Sequence, residues 1–265
     1  MIGYPVAQSL SPKLFRYWFR QYGIDGEYKA YPVSPHGLED FIKTMAENNF
    51  AGCNVTIPHK EKVLGFLDEI TALASDIGAA NTLAVKDGKL LGTNTDAYGF
   101  TENILPSLTR KHKAVVLGAG GAAKAVCYGL INLGFSEILV VNRTPEKAQA
   151  LIAQLSGTLK AGAWSARAQY VEQADLLVNT TCLGMVGQGP LEMDLSLLPK
   201  TALVTDIVYK PLITPLLAQA QTRGNPVVDG LGMLLYQAVP GFEAWFGVKP
   251  EVTPELRAYM LGDGA

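Results

Sequence analysis

The sequence is short of the features that mark several large protein classes. Its three cysteines, Cys53, Cys127 and Cys182, stand far apart, are odd in number and form no CxxC pair, which argues against a disulfide framework and a zinc ribbon. Cysteine used this sparingly fits a reducing cytoplasm. Histidine is just as scarce: His59 has no second histidine or acid at ligand spacing, so it reads as structural or surface, His36 and His112 read as exposed, and no metal is expected. Charge of one sign is missing too. Twenty-two Lys+Arg against 24 Asp+Glu leave a net charge of -2, with no run of five or six like charges, so a nucleic-acid footprint has no support. No apolar run reaches the ~18 residues of a membrane span, and the opening "MIGYPVAQSLSP" lacks the charged and apolar regions of a signal peptide. The expected partner is a small molecule. Monomer and homodimer both stay open.

What is present is a hydrophobic content of 48% over 265 residues, enough for one large domain or two modest ones. Strand and helix patterns alternate almost from the first residue, as in βαβ units. A short first strand precedes Ser11-Pro12, which reads as helix N-cap and first helical residue, and Leu14, Phe15, Trp18, Phe19 and Tyr22 then fall on one helical face. "EYKAYPV" reads as a strand, Leu38, Phe41, Ile42 and Met45 mark a helix, and "FAGCNVTI" is a further strand. "TLAVKDGKLLGT" is a hairpin turning at Asp87-Gly88, so the first sheet is mixed. From about residue 113 the runs "KAVVLGAGGAAKAV", "EILVVNRT", "ADLLVNTT", "ALVTDIVY" and "PVVDG" read as buried strands of a second, parallel sheet. The expected fold is α/β in two domains, a mixed-sheet domain over 1–98 and a Rossmann domain over 99–237, with helices in 238–265 packing back on the first.

"VVLGAGGAAKA" carries G-x-G-x-x-A as Gly118, Gly120 and Ala123, directly after a strand and opening a helix, the context that the dinucleotide fingerprint requires. The backbone of Gly118, Ala119, Gly120, Gly121 and Ala122 is the expected pyrophosphate cradle. About 20 residues on, where an NAD site offers an acid to the ribose, the chain has Asn142, Arg143, Thr144 and Lys147. A cationic, hydrogen-bonding set suits a 2′-phosphate, so NADP is favoured. The alternative is a solvated helix start, although cations there oppose the helix dipole. Lys60, just after "NVTIPH", is either a solvated charge or the group that manages a proton; Asp96 is either the cap of the next helix or its catalytic partner.

In order along the chain, "GYPVAQSLSP", "GCNVTIPHK", "GAANTL", "GTNTD", "GAGGAAKA", "NRT", "DIVYKPLITPLL" and "DGLGMLLYQA" resemble the successive motifs of the shikimate dehydrogenases. That family reduces 3-dehydroshikimate to shikimate with NADPH. The resemblance implies that Lys60 and Asp96 are the catalytic pair and that Ser9 and Ser11 bind the substrate carboxylate. It further implies that Asn54, Thr56, Asn81, Tyr209 and Gln237 contact the ring hydroxyls or line the pocket, and that Ile207, Gly230 and Met233 lie beside the nicotinamide. Pro58 would end its strand so that Lys60 faces the substrate. Gln8, Phe15, Arg16 and Ala97 depart from residues usual in the family. A quinate/shikimate dehydrogenase paralogue would call for an acid near 143 or a bulkier residue at Ser11, and a non-catalytic NADP-binding regulator would call for loss of Lys60 or Asp96; neither change is present. Cys182 is assigned to packing.

Overall fold

Pro5 stops the first strand almost at once, because proline has no N–H to give to a ladder. In the computed structural model, which describes residues 1–155 and 157–262, β1 (Ile2–Gly3) pairs in parallel with only two residues of β2 (Tyr31–Pro32). The expected longer strand over "EYKAYPV" is paired only at Tyr31 and Pro32. The Val33 carbonyl, which the ladder would have offered to residue 5, accepts instead from His59 Nε2 at 2.7 Å. His59 is thus a fully buried pin, not a surface residue.

The chain divides into two units, residues 1–95 with the chain from Leu234 onward, and Asp96–Met233. In the first, α1 (Ser11–Tyr22) follows β1 and ends at Gly23, whose φ of +64° and N–H bond to the Phe19 carbonyl form a left-handed cap. Then come α2 (Leu38–Glu47), β3 (Gly52–Asn54), β4 (Glu69–Ile70), α3 (Ala72–Ile77), β5 (Thr82–Lys86) and β6 (Lys89–Thr93). Asp87 and Gly88 turn the β5–β6 hairpin with φ of +52° and +76°, the two positive angles that the tight turn requires. The sheet runs β3-β5-β6-β4 with antiparallel β3–β5 and β5–β6 pairs and a parallel β4–β6 pair, and a parallel bridge from Ile2 to Val55 adds β1 beside β3. Bonds to the first strand continue past Val55, from the Thr56 N–H to the Ile2 carbonyl and from the Tyr4 N–H to the Ile57 carbonyl, and Pro58 follows in the turn where the His59 N–H donates to the Thr56 carbonyl.

The second unit holds α4 (Asp96–Ile104), β7 (Lys113–Leu117), α5 (Gly121–Asn132), β8 (Glu137–Asn142), α6 (Pro145–Gln154) and β9 (Leu159–Ala163). It continues with α7 (Arg167–Tyr170), β10 (Leu176–Asn179), β11 (Leu203–Asp206), α8 (Pro215–Arg223) and β12 (Val227–Val228). All six strands are parallel, in the order β9-β8-β7-β10-β11-β12, which reverses direction between β7 and β10. Alternate residues feed two cores: Val116, Val140 and Val178 pack with Val126 of α5, and Val115, Val141, Leu177 and Val204 with Leu217 of α8. Burial on both faces explains the uninterrupted apolar runs. β9 escapes the sequence reading because Lys160 and Gly162 dilute its pattern at the edge of the sheet.

α9 (Gly230–Phe246) belongs to the first unit from Leu234 onward, as does α10 (Pro254–Leu261). The return is driven by aromatic burial: Phe242 lies 5.7 Å from the Phe15 ring and 5.3 Å from Trp18. Trp245 Nε1 donates to the Leu83 carbonyl at 2.8 Å, tying α9 to β5. That indole and that carbonyl fill the space where a Cβ on Gly52 would stand. Gly52→Ala should accordingly destabilise the protein by about 2 to 3 kcal/mol through overpacking, read as a lower urea midpoint with an unchanged m-value.

Candidate active site

Strand direction gathers the polar residues of the first unit at one end of its sheet. β1 and β3 run parallel, so the loop with Ser9 and the turn with Thr56 and Lys60 leave from their carboxyl ends; antiparallel β5 starts there with Asn81, and β6 finishes there with Asn94 and Thr95. Carboxyl ends of strands are where α/β sheets take ligands. Asn81 organises the cluster. Its Oδ1 accepts from the Thr95 N–H at 2.7 Å and from Thr82 Oγ1 at 3.1 Å, while its Nδ2 donates to Thr95 Oγ1 at 3.1 Å and to Gln237 Oε1 at 3.3 Å. Asn54 donates to the Asn81 carbonyl and to Thr82 Oγ1, and Asn94 to the Ala79 carbonyl. Asn54, Asn81, Thr82, Asn94, Thr95 and Gln237 are all buried. The Lys60 carbonyl accepts from the Ala80 N–H at 2.8 Å, which places its half-buried residue beside the same cluster.

Ser9 and Ser11 sit at the start of α1, but in different roles from the expected cap. Leu10 is the N-cap, Ser11 is the first helical residue, and Ser9 Oγ accepts the Ser11 N–H at 3.2 Å while its hydroxyl lies 3.3 Å from Ser11 Oγ. A serine bonding two residues ahead forms this turn without a helix cap. Asp96 opens α4 directly after Thr95 and is buried, in the first turn where a carboxylate suits the helix dipole.

In the second unit the candidate residues again leave from strand carboxyl ends, on either side of the reversal. Gly118 follows β7 with φ of +112°, and a Cβ there would strike Thr180 Oγ1, which itself donates to the Leu117 carbonyl at 2.7 Å. Gly120 caps α5 with no side-chain bond, and a Cβ on it would meet nothing within 4 Å. Open space before uncapped helical N–H groups fits a phosphate. Ala119 is buried, Gly121 and Ala122 half-buried, and Ala123 packs into the core. Asn142 Nδ2 donates to the Thr144 carbonyl at 2.9 Å, shaping a turn from which Arg143, Thr144 and Lys147 stand exposed, the two cations with no partner among the described residues. Such a group fits the 2′-phosphate expected from the sequence.

Sequence reasoning missed the polar knot that holds the end of β11. Asp206, 1% exposed, accepts from Asn179 Nδ2 at 3.0 and 3.1 Å, from the Val208 N–H at 2.9 Å and from Thr214 Oγ1 at 2.8 Å. Burial raises its carboxyl above the ordinary range, and these bonds oppose the rise. The knot sets the course of Ile207 and half-buried Tyr209; Gly230 is packed so closely on the Ile207 carbonyl that a Cβ would collide with it. Met233 lies buried in the core cluster with Phe100. Cys182, assigned to packing from the sequence, is instead exposed, its sulfur 3.8 Å from Gln188 Oε1, because the segment after β10 runs over the surface. Among the described residues no group of three His, Cys, Asp or Glu is arranged to hold a metal, and no helix is long and apolar enough to cross a membrane.

Comparison with known proteins accounts for nearly the whole chain. Residues 1–83 match the shikimate dehydrogenase substrate binding domain, 100–207 the shikimate / quinate 5-dehydrogenase family, and 230–254 the shikimate 5'-dehydrogenase C-terminal domain. The shikimate dehydrogenase (NADP(+)) of Paramagnetospirillum magneticum is 52% identical over 266 residues, covering 98% of this chain and 96% of its own. The chain belongs to the shikimate dehydrogenase family. Among solved members, the shikimate 5-dehydrogenase of Thermus thermophilus in complex with NADP(H) and shikimate superposes with a TM-score of 0.88 at 34% identity, covering 99% of this chain and 96% of that one. The quinate dehydrogenase of Corynebacterium glutamicum in complex with NAD gives 0.92 at 29%, covering 98% and 97%.

Asp206→Ala would leave the Thr214 hydroxyl, the Val208 N–H and one of the two Asn179 amide protons as buried donors without an acceptor, the other proton keeping the Leu183 carbonyl. It should cost about 3 kcal/mol of stability in chemical denaturation.

Proposed function

We propose that Lys60 and Asp96 are the catalytic pair for the NADPH-dependent, reversible reduction of 3-dehydroshikimate to shikimate, a step of aromatic amino acid biosynthesis. Members of this family are oxidoreductases named for that interconversion and for NADP. NADPH supplies the hydride to the ring carbonyl. Negative charge builds on the carbonyl oxygen as the hydride arrives, and a lysine ammonium within reach both stabilises that charge and supplies the proton. Asp96 is the acidic member of the proposed pair. Ser9 and Ser11 present short hydroxyl donors suited to the substrate carboxylate, and Asn54, Thr56, Asn81, Gln237 and Tyr209 serve the ring hydroxyls.

The observation that carries the reading is the convergence of Ser9, Asn54, Lys60, Asn81 and Thr95 at one end of the first unit's sheet, with a polar network buried beneath them. A solvated Lys60 would not need that setting. Arg143, Thr144 and Lys147, exposed after β8, support recognition of the 2′-phosphate. Quinate with NAD is a second reading, favoured by the likeness to a quinate dehydrogenase and opposed by Arg143 where an acid would bind the ribose.

Lys60→Ala should lower kcat by on the order of 10² to 10⁴ in a steady-state assay while leaving the Kd for NADP nearly unchanged. Near-normal turnover in a folded, NADP-binding variant would return Lys60 to the solvated surface. Arg143→Ala should weaken NADP by roughly 1.5 to 3 kcal/mol and NAD much less in titration calorimetry. Equal losses for the two cofactors would remove Arg143 from the phosphate site.

A further inference from the structure

Asn103 carries no role in the reading above, yet it is a side chain through which α4 grips the start of α9. Its Nδ2 donates to the Asp229 carbonyl at 2.8 Å. A carbonyl partner admits only the N–H side of the amide, so Oδ1 is turned elsewhere. It lies against Gly232, where an added Cβ would strike it. Asp229 is held through its side chain as well, since its Oδ1 accepts the Leu231 N–H at 3.0 Å and opens the first turn of α9. The other glycine of this turn, Gly230, packs on the Ile207 and Val208 carbonyls with no room for a Cβ. The start of α9 is thus clamped between α4 and the segment after β11.

α4 is in turn fixed to α5, the helix that the glycine loop opens. A Cβ on Gly129 of α5 would come within 2.8 Å of Thr101 Cγ2 and 3.5 Å of the Ala97 carbonyl, so the two helices approach closely. Phe100 of α4 packs in one core cluster with Val126 of α5 and Met233 of α9. A series of rigid parts therefore runs from the expected pyrophosphate cradle through α4 to Gly230 and Met233. Apolar contacts hold such parts together without fixing direction. The Asn103 hydrogen bond has direction, and it sets a register that packing alone leaves loose. α4 also begins with Asp96, seven residues before Asn103, which is two turns and hence the same side of the helix.

We propose that Asn103 is a positioning residue for the nicotinamide half of the cofactor. By holding the Asp229 carbonyl and backing Gly232, it sets where Gly230 and Met233 stand relative to the pyrophosphate cradle and to Asp96. The proposal rests on the assignment of Gly230 and Met233 to the nicotinamide. The 2′-phosphate, assigned to Arg143, Thr144 and Lys147, lies outside this clamp.

Asn103→Leu keeps the branched outline and the neutral charge of the side chain and removes its donor and acceptor. The readout is the Kd of NADPH against that of 2′-phospho-ADP-ribose, which retains both phosphate contacts and lacks the nicotinamide, measured on the purified protein by titration calorimetry. Asn103→Leu should weaken NADPH about fivefold, the scale of one hydrogen bond, and the fragment by less than about twofold. The single-turnover rate of shikimate oxidation by NADP should fall about tenfold, as expected of a displaced reacting group. Gly232→Ala, which presses on the same contact with Asn103 in place, should show the same pattern. Equal weakening of NADPH and fragment, or none of either, while Met233→Ala weakens NADPH alone, would overturn the inference. So would a lower melting temperature with binding and rate per folded molecule unchanged, or failure of both variants to fold, since each marks a structural role alone. If the unaltered protein binds NADPH and the fragment equally and Met233→Ala changes neither, the nicotinamide assignment fails and Asn103 falls with it.

Discussion

The first unit's site depends on one amide that must donate and accept at once. Asn81 accepts from the Thr95 N–H and donates to Gln237 Oε1, and its backbone carbonyl takes the Val55 N–H as well as the Asn54 amide. No carboxylate could do this, since it has no proton for Gln237, and no hydroxyl could span so many partners. The loop after β6, the start of β5, the end of β3 and helix α9 therefore meet at a single residue. Buried polar groups are costly unless each has a partner, so the network is held in one arrangement, and the groups facing a ligand arrive already oriented.

In the proposed assignment the second unit recognises its ligand with backbone where the first uses side chains. Gly118 is forced by its positive φ and by Thr180 behind it, Gly120 leaves space in front of α5, and Gly230 lies against the Ile207 carbonyl where no Cβ fits. Phosphate and planar ring groups are served by bare N–H groups and close backbone approach, which tolerate little change in glycine. Asp206 does for this unit what Asn81 does for the first. It collects donors from β10, from its own loop and from Thr214 before α8, and so fixes the segment that carries Ile207 and Tyr209.

Much of this was legible in the sequence where one local rule governs one element. Valine-rich runs announced a sheet buried on both faces, Asp87-Gly88 announced the hairpin, and the glycine loop announced its strand and helix. Reading failed where the controlling partner is far along the chain. The strand over "EYKAYPV" shrank to Tyr31 and Pro32 because β1, some two dozen residues earlier, offers it only Ile2 and Gly3. His59 and Asp206 carry no periodic signal; their roles appear only when Val33 and Asn179 are brought beside them. The helix start moved by one residue, with Leu10 at the cap position and the Ser11 N–H bonded to Ser9 Oγ.

In the proposed reaction the first unit's groups call for a hydroxylated cyclic acid and the second unit's for a 2′-phosphorylated dinucleotide. The most direct measurement is the initial rate of nicotinamide reduction, followed by absorbance, for the purified protein with shikimate or quinate against NADP or NAD. The proposed site calls for a kcat/KM for shikimate with NADP that exceeds the NAD pairings by at least about tenfold, since Arg143 offers the 2′-phosphate a charged bond that NAD cannot accept. A higher kcat/KM for quinate with NAD would contradict it.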